Sequence, residues 1–144
     1  MSIVSFSYAD LNASFVQKTD LKRFIAEIFK KEGKSLNHLT YVFCSDAYLL
    51  DINKQFLQHD DYTDIITFDL SEDESTVGEV YISIERVREN AVIHKTSYQQ
   101  EVKRVLFHGA LHLCGFKDKK KSEIEMMRYK EDFYLRLFHE QQTQ

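Results

Sequence analysis

Two histidines four residues apart, with a glycine and an aspartate after them, constrain this chain more than any other feature of its sequence. The segment 107–118 reads FHGALHLCGFKD. On a helix, His108 and His112 project from the same face, one turn apart. Gly115 is typical of a residue just past a helix C-terminus, where the chain can reverse and bring Asp118 back. The spacing therefore predicts a helix in the C-terminal half that carries a metal site.

The predicted metal ligands are His108, His112 and Asp118. The pattern H-x-x-x-H-x-x-G-x-x-D has the spacing of the metzincin motif H-E-x-x-H-x-x-G-x-x-H, with aspartate in the third ligand position. Three protein ligands leave one position open for water, as in catalytic zinc sites. Two imidazoles and a carboxylate suit one Zn²⁺ ion, although nickel, iron and manganese remain compatible with these ligand types. Zinc lowers the pKa of bound water to about 7, so the predicted chemistry is hydrolysis.

The residue after the first histidine separates this chain from zinc peptidases. Those enzymes have a glutamate there as general base, whereas this chain has Gly109, so peptide hydrolysis lacks its proton acceptor. Glycine inside a helix costs about 1 kcal/mol relative to alanine. Its presence indicates that packed backbone or substrate approaches the helix closely. We therefore expect a zinc hydrolase that is not a conventional peptidase.

The whole chain, 1–144, is predicted to form one α+β domain, because it has no repeat or linker and is long enough for a hydrophobic core. Hydrophobic periodicity predicts strands at 3–7, 39–44, 65–68 and 77–84. It predicts helices at 20–34, 45–56, 85–94, 97–114 and 122–138. The acidic segment 69–76 is expected at the tip of an antiparallel hairpin. This order predicts a mixed sheet of about four strands packed against helices.

Composition predicts a cytoplasmic protein. Cys44 and Cys114 have no CxxC spacing and are expected to be reduced thiols. The N-terminus lacks the basic start and apolar run of a signal peptide, and no segment approaches the roughly 18 apolar residues that span a membrane. We expect no membrane partner. The net charge of −4 argues against a broadly basic nucleic-acid-binding surface, but binding depends on the local field.

Three segments together resemble the YbeY family of bacterial rRNA-maturation endoribonucleases. His108–Asp118 resembles its H-G-x-L-H-L-x-G-Y-D-H signature, Thr63–Phe68 its T-D-V-L-S-F strand, and Gly78–Ser83 its G-D-I-x-I-S strand. The similarity runs from about residue 38 to about residue 131. It implies an α+β fold and a metal-dependent, single-strand-specific endoribonuclease. Such an enzyme acts on the 3′ end of small-subunit ribosomal RNA and in ribosome quality control.

The resemblance carries metal ligation to His108 and His112 directly, and to Asp118 by position, since the family usually has histidine there. It implies single-stranded RNA and the ribosome as partners, with no DNA expected. The family commonly has arginine six residues before the Thr-Asp pair, where this chain has Leu57. We hypothesise that His59 replaces this arginine in contacting phosphate.

A local positive patch is expected beside the metal in spite of the net charge. Four lysines surround Asp118 in the sequence and are expected to attract a phosphate backbone, with Lys117 and Lys119 as the nearest candidates for substrate binding: Lys117, Lys119, Lys120 and Lys121.

Two other functions are compatible with these residues. One is a ribosome-associated RNA-binding protein whose metal is structural, and the other is a zincin-like peptidase or amidase. The sequence assigns no general acid or base, although Asp64 and Glu79 lie on segments that can approach the metal. An open, exchangeable coordination position distinguishes the enzyme from the binding protein.

Overall fold

A computed structural model of the chain describes residues 3–57 and 64–143. The strands are β1 (Val4–Tyr8), β2 (Ser35–Cys44), β3 (Ile65–Asp69) and β4 (Ser75–Ser83). The helices are α1 (Lys18–Lys31), α2 (Asp46–Ile52), α3 (Ile84–Ile93), α4 (Tyr98–Leu113) and α5 (Lys121–Gln142), and a π-helical segment, Asn53–Leu57, follows α2 directly. Within the described ranges, none of the helices is long and apolar enough to cross a membrane.

The four strands form one mixed sheet in the order β1-β2-β4-β3. β1 and β4 both run parallel to β2, whereas β3 pairs with β4 in the antiparallel direction. The predicted α+β class, the mixed sheet and the antiparallel β3–β4 hairpin are confirmed. Strand β4 begins earlier than predicted because the polar residues Ser75 and Thr76, assigned to the acidic loop, pair with the start of β2.

Alternate strand residues divide the apolar side chains between the two faces of the sheet. On one face, Leu39, Tyr41 and Phe43 of β2 pair with residues of β4 and pack under α1, α4 and α5 in the main hydrophobic core. On the other face, a smaller cluster joins the sheet to α2 and consists of Cys44, Leu49, Ile52 and Ile66. The face that carries the main core is the one that positions α4.

Two glycines let α4 lie close to the sheet. A Cβ atom built on Gly109 would lie 2.9 Å from Val80 Cγ1 and 3.2 Å from Ile65 Cδ1. A Cβ atom built on Gly78 of β4 would lie 2.6 Å from Leu113 Cδ1. The close approach predicted at Gly109 is therefore made by side chains of the sheet, and neither backbone nor substrate is needed to explain the glycine.

Replacing Gly109 with alanine should lower the free energy of unfolding by about 1 kcal/mol. Crowding against Val80 costs about 1–3 kcal/mol, and the higher helix propensity of alanine returns about 1 kcal/mol. Urea denaturation of the wild type, Gly109→Ala, Val80→Ala and the double variant measures the coupling. In the Val80→Ala background the same change should become neutral or stabilising, and an unchanged cost there would contradict the packing argument.

Candidate metal centre

The C-terminus of α4 turns the chain back toward its own histidines. Gly115 has φ = +106°, a conformation that favours glycine. The Phe116 N–H donates to the Leu111 carbonyl and the Gly115 N–H to the His112 carbonyl, both at 3.0 Å. These two bonds form a Schellman motif, which satisfies carbonyls that the helix leaves unpaired. The predicted reversal at Gly115 is confirmed, and it returns Asp118 to the face that carries the histidines.

The three predicted ligands converge on one point. Asp118 Oδ2 lies 3.2 Å from His108 Nε2 and 3.3 Å from His112 Nε2. Two ligand atoms bound at about 2.1 Å to one tetrahedral ion lie about 3.4 Å apart, so the observed separations fit a shared cation. Among the described residues, these three form the group of histidine and carboxylate side chains that could hold a metal ion.

A buried carboxylate on α5 orients the first histidine. Glu131 is 4% exposed, and its Oε2 lies 2.6 Å from His108 Nδ1. With the proton on Nδ1 donated to Glu131, the lone pair of Nε2 faces Asp118. Metal-binding histidines commonly donate their second ring N–H to a carboxylate in this way. Arg104 fixes Glu131 in turn, donating to its Oε1 at 2.9 Å and to Asp132 at 2.8 Å.

Sequence reasoning missed Glu131, although the chain contains a signal for it. The buried residues of α5 follow helical spacing and include one charged member: Met127, Glu131, Tyr134, Leu135 and Phe138. A carboxylate inside an apolar stripe must find partners, since a buried unpaired charge is very costly. Which partners it finds depends on where α5 packs, and the sequence pattern does not specify that.

The surroundings of His108 favour positive charge on its imidazole. Burial lowers the pKa of His108, but the hydrogen bond to Glu131 and the negative charges of Glu131, Asp118 and Asp64 raise it more strongly. The pKa of His108 is therefore raised overall. The same negative charges would attract a metal cation, which would compete with the proton for the ring nitrogen.

The candidate metal centre opens into a cleft of about 860 Å³ between α3, α4, α5 and β3. Asp64 lines this cleft and accepts a hydrogen bond from Asn90 Nδ2 at 3.2 Å. Glu79 points the other way, because alternate residues of β4 face opposite sides of the sheet. Its carboxylate accepts a hydrogen bond from the Tyr81 hydroxyl at 3.0 Å. Of the two acidic residues considered from the sequence, Asp64 alone lines the cleft.

The predicted substrate-binding residues do not share one surface. Lys119 lines the same cleft as the three candidate metal ligands. Lys117 lines a smaller groove of about 340 Å³ beside Gly115 and Phe116. Lys120 and Lys121 are exposed and line neither of these two sites. His59, the hypothesised replacement for a phosphate-binding arginine, lies outside the described residues.

Comparison with known proteins identifies relatives along almost the whole chain. A family model described as Endoribonuclease YbeY matches residues 7–139. Endoribonuclease YbeY of Flavobacterium psychrophilum is 44% identical over 141 residues, covering 98% of this chain and all of the relative. Endoribonuclease YbeY of Cytophaga hutchinsonii is 47% identical over 135 residues, covering 93% and 94%. The solution structure of a Thermotoga maritima protein, 26% identical, superposes with a TM-score of 0.67 over 97% of this chain and 91% of that one.

The Glu131→Gln variant should bind zinc about 10- to 100-fold more weakly, because it loses the charge that orients and polarises His108. Competition with a chromophoric chelator measures this affinity, and circular dichroism checks that the helices persist. Asp132→Asn is the matched control, since Asp132 also accepts a hydrogen bond from Arg104 but is not paired with His108. Equal zinc affinities for the two variants would show that Glu131 does not act through His108.

Proposed function

The chain belongs to the YbeY endoribonuclease family, and from this premise we propose that it is a metal-dependent endoribonuclease that cuts single-stranded RNA in the cleft beside His108, His112 and Asp118. The observation that carries the proposal is the convergence of two imidazole nitrogens on one carboxylate oxygen, at 3.2 and 3.3 Å, at the wall of a cleft. A hydrolytic metal site needs these features together: a partial ligand set and open space beside it.

Zinc is the proposed ion, held by the two Nε2 atoms and by Asp118. Two nitrogen donors and one oxygen donor suit Zn²⁺, and nickel or another divalent metal is compatible with the same set. When bound, the ion would supply Lewis-acid stabilisation of the negative charge that develops on a phosphodiester oxygen. A carboxylate is more anionic than the imidazole usual in the family, so Asp118 should lower this Lewis acidity.

Contacts within the protein hold the proposed metal ligands in position before substrate binds. Glu131 and Arg104 hold His108 in one orientation, and the turn at Gly115 holds Asp118 against both histidines. These contacts lower the conformational freedom lost when the ligands gather around a cation. The cleft has the volume of a small-molecule site. That size suits unpaired nucleotides, which can be splayed out into a protein pocket.

The proposed substrate in the cell is the 3′ end of the small-subunit ribosomal RNA precursor, with a further role in ribosome quality control. The family resemblance supports this proposal, which includes a cytoplasmic location and the ribosome as partner. Lys119, at the cleft, is proposed to contact RNA close to the cut, whereas Lys117, in the neighbouring groove, would contact a flanking part of the strand.

The exposure of the ligands argues against a purely structural metal in an RNA-binding protein. Structural zinc sites are closed by four protein ligands, whereas here the described group has three. The side chains of His108, His112 and Asp118 remain 19%, 26% and 39% exposed. A cation bound there therefore keeps access to solvent and substrate.

The packing of α4 argues against a peptidase. The general base of a zincin would occupy position 109, where even a Cβ atom would meet Val80 at 2.9 Å. The sheet fills the space that the glutamate side chain would need. The zincin motif places the general base directly after the first histidine. In this chain that position is Gly109, so within the described residues the motif assigns no general base.

Zinc analysis combined with an RNA cleavage assay tests the proposal. The substrate is single-stranded RNA that contains the 3′ end of the small-subunit precursor. We expect about one equivalent of zinc. His112→Ala and Asp118→Ala should reduce cleavage by more than about 100-fold, since loss of a direct ligand exceeds the cost of losing an outer partner. Asp118→His, which restores the usual family ligand, should retain zinc and cleavage.

His139→Ala serves as the control for these variants, because His139 is an exposed histidine near the end of α5 that does not line the cleft. It should cleave like the wild type. Zinc binding without cleavage by the wild type would favour the binding protein with a structural metal. Cleavage that persists unchanged in His112→Ala and Asp118→Ala would point to a contaminating nuclease.

A further inference from the structure

Carboxylates outnumber positively charged side chains in the cleft beside the candidate metal centre, which is unfavourable for an RNA phosphate. The cleft carries five carboxylates and three side chains with permanent positive charge. The carboxylates belong to Asp64, Asp69, Glu101, Asp118 and Glu131. The cations are Arg104, Lys119 and Arg128. These carboxylates repel a phosphodiester that enters the cleft, so its binding requires the proposed metal ion and side-chain cations with free hydrogen-bond donors.

Arg104 is already occupied. Its guanidinium donates to Glu131 at 2.9 Å and to Asp132 at 2.8 Å. These bonds neutralise its charge, and a phosphate that displaced them would leave the buried carboxylate of Glu131 without a partner. Uncompensated buried charge is strongly unfavourable. Arg104 therefore serves the metal centre and is a poor site for substrate.

Arg128 differs from Arg104 because its side chain is exposed. In the part of the chain that the structure describes, no hydrogen bond or ion pair engages its guanidinium. It lies on α5 three residues before Glu131, which places both side chains on the same side of the helix. Arg128 therefore lines the cleft from the turn of α5 next to the one that contacts His108.

The packing of α4 against α5 places Arg128 in the cleft that also contains the second candidate ligand. Arg104 of α4 contacts both Glu131 and Asp132 of α5, and His108, one turn later on α4, contacts Glu131 as well. These contacts hold the two helices side by side at the wall of the cleft. Arg128, three residues before Glu131, and His112, four residues after His108, both line that cleft.

We propose that Arg128 binds a backbone phosphate of the RNA strand next to the metal centre. This inference rests on the proposed function and adds the residue that holds the substrate. The planar guanidinium offers paired donors that match two phosphate oxygens, which a lysine cannot do. Lys119, the other cleft-lining cation outside the Arg104 network, would act as a point charge on the RNA close to the cut.

Single-turnover cleavage of single-stranded RNA at increasing protein concentration separates binding from chemistry. For Arg128→Gln we expect the half-saturating concentration to rise about tenfold, as for loss of one charged contact. The limiting rate should stay within about threefold, because no direct metal ligand is changed. The slope of log affinity against log salt should fall in magnitude by about 0.7, the value for one phosphate contact on a single strand.

Arg136→Gln is the matched control, since Arg136 is an exposed arginine on the same helix that does not line the cleft. It should keep the wild-type half-saturation and salt slope. Arg128→Lys should keep the salt slope, because the charge remains, but lose part of the affinity with the paired donors. Zinc content measured for each variant should be equal to that of the wild type.

The outcomes separate this inference from the function on which it rests. If the wild type cleaves RNA and Arg128→Gln behaves like Arg136→Gln, the phosphate contact is overturned and the proposed function stands. If Arg128→Gln loses zinc, Arg128 supports the metal centre instead, which also overturns the inference. A wild type that contains zinc and neither binds nor cleaves RNA would overturn both.

Discussion

The close contact between α4 and the sheet is the constraint on which the site depends. Gly109 lets the helix backbone approach Val80 and Ile65, and Gly78 makes room for Leu113. Protein interiors are packed too densely for a helix to shift without cost. The contact therefore fixes the height and rotation of α4, and with them the direction in which His108 and His112 project.

The second layer of organisation is the polar network between α4 and α5. Glu131 is buried between these helices, where its charge costs stability unless it is compensated. Arg104 and His108 provide that compensation. Such a network is sensitive to register, because sliding α5 by one turn would leave the carboxylate unpaired. The same bonds that align the two helices also orient the imidazole toward Asp118.

The electrostatics of the cleft reconcile an acidic chain with an RNA substrate. The net charge is −4, and carboxylates outnumber cations on the cleft wall. Those carboxylates favour a divalent cation, whose charge is often the largest in its site. With the proposed ion bound, an RNA phosphate would meet a local positive field from the metal, Arg128 and Lys119. Recognition of this kind depends on local placement of charge rather than on a basic surface.

The sequence by itself determined that His108, His112 and Asp118 come together as a candidate ligand set, because they lie within one helix and its C-terminal turn. Helical periodicity and the left-handed preference of Gly115 are local properties that a sequence pattern contains. Hydrophobic periodicity, likewise a local property, predicted the α+β class, and the short link between β3 and β4 predicted their hairpin. Only the tertiary structure determined that Glu131 of α5 contacts His108. Glu131 lies 23 residues from His108, and their contact depends on how two helices pack. The tertiary structure also explains the glycine at position 109, because Val80 of β4 and Ile65 of β3 leave little room for a Cβ atom there.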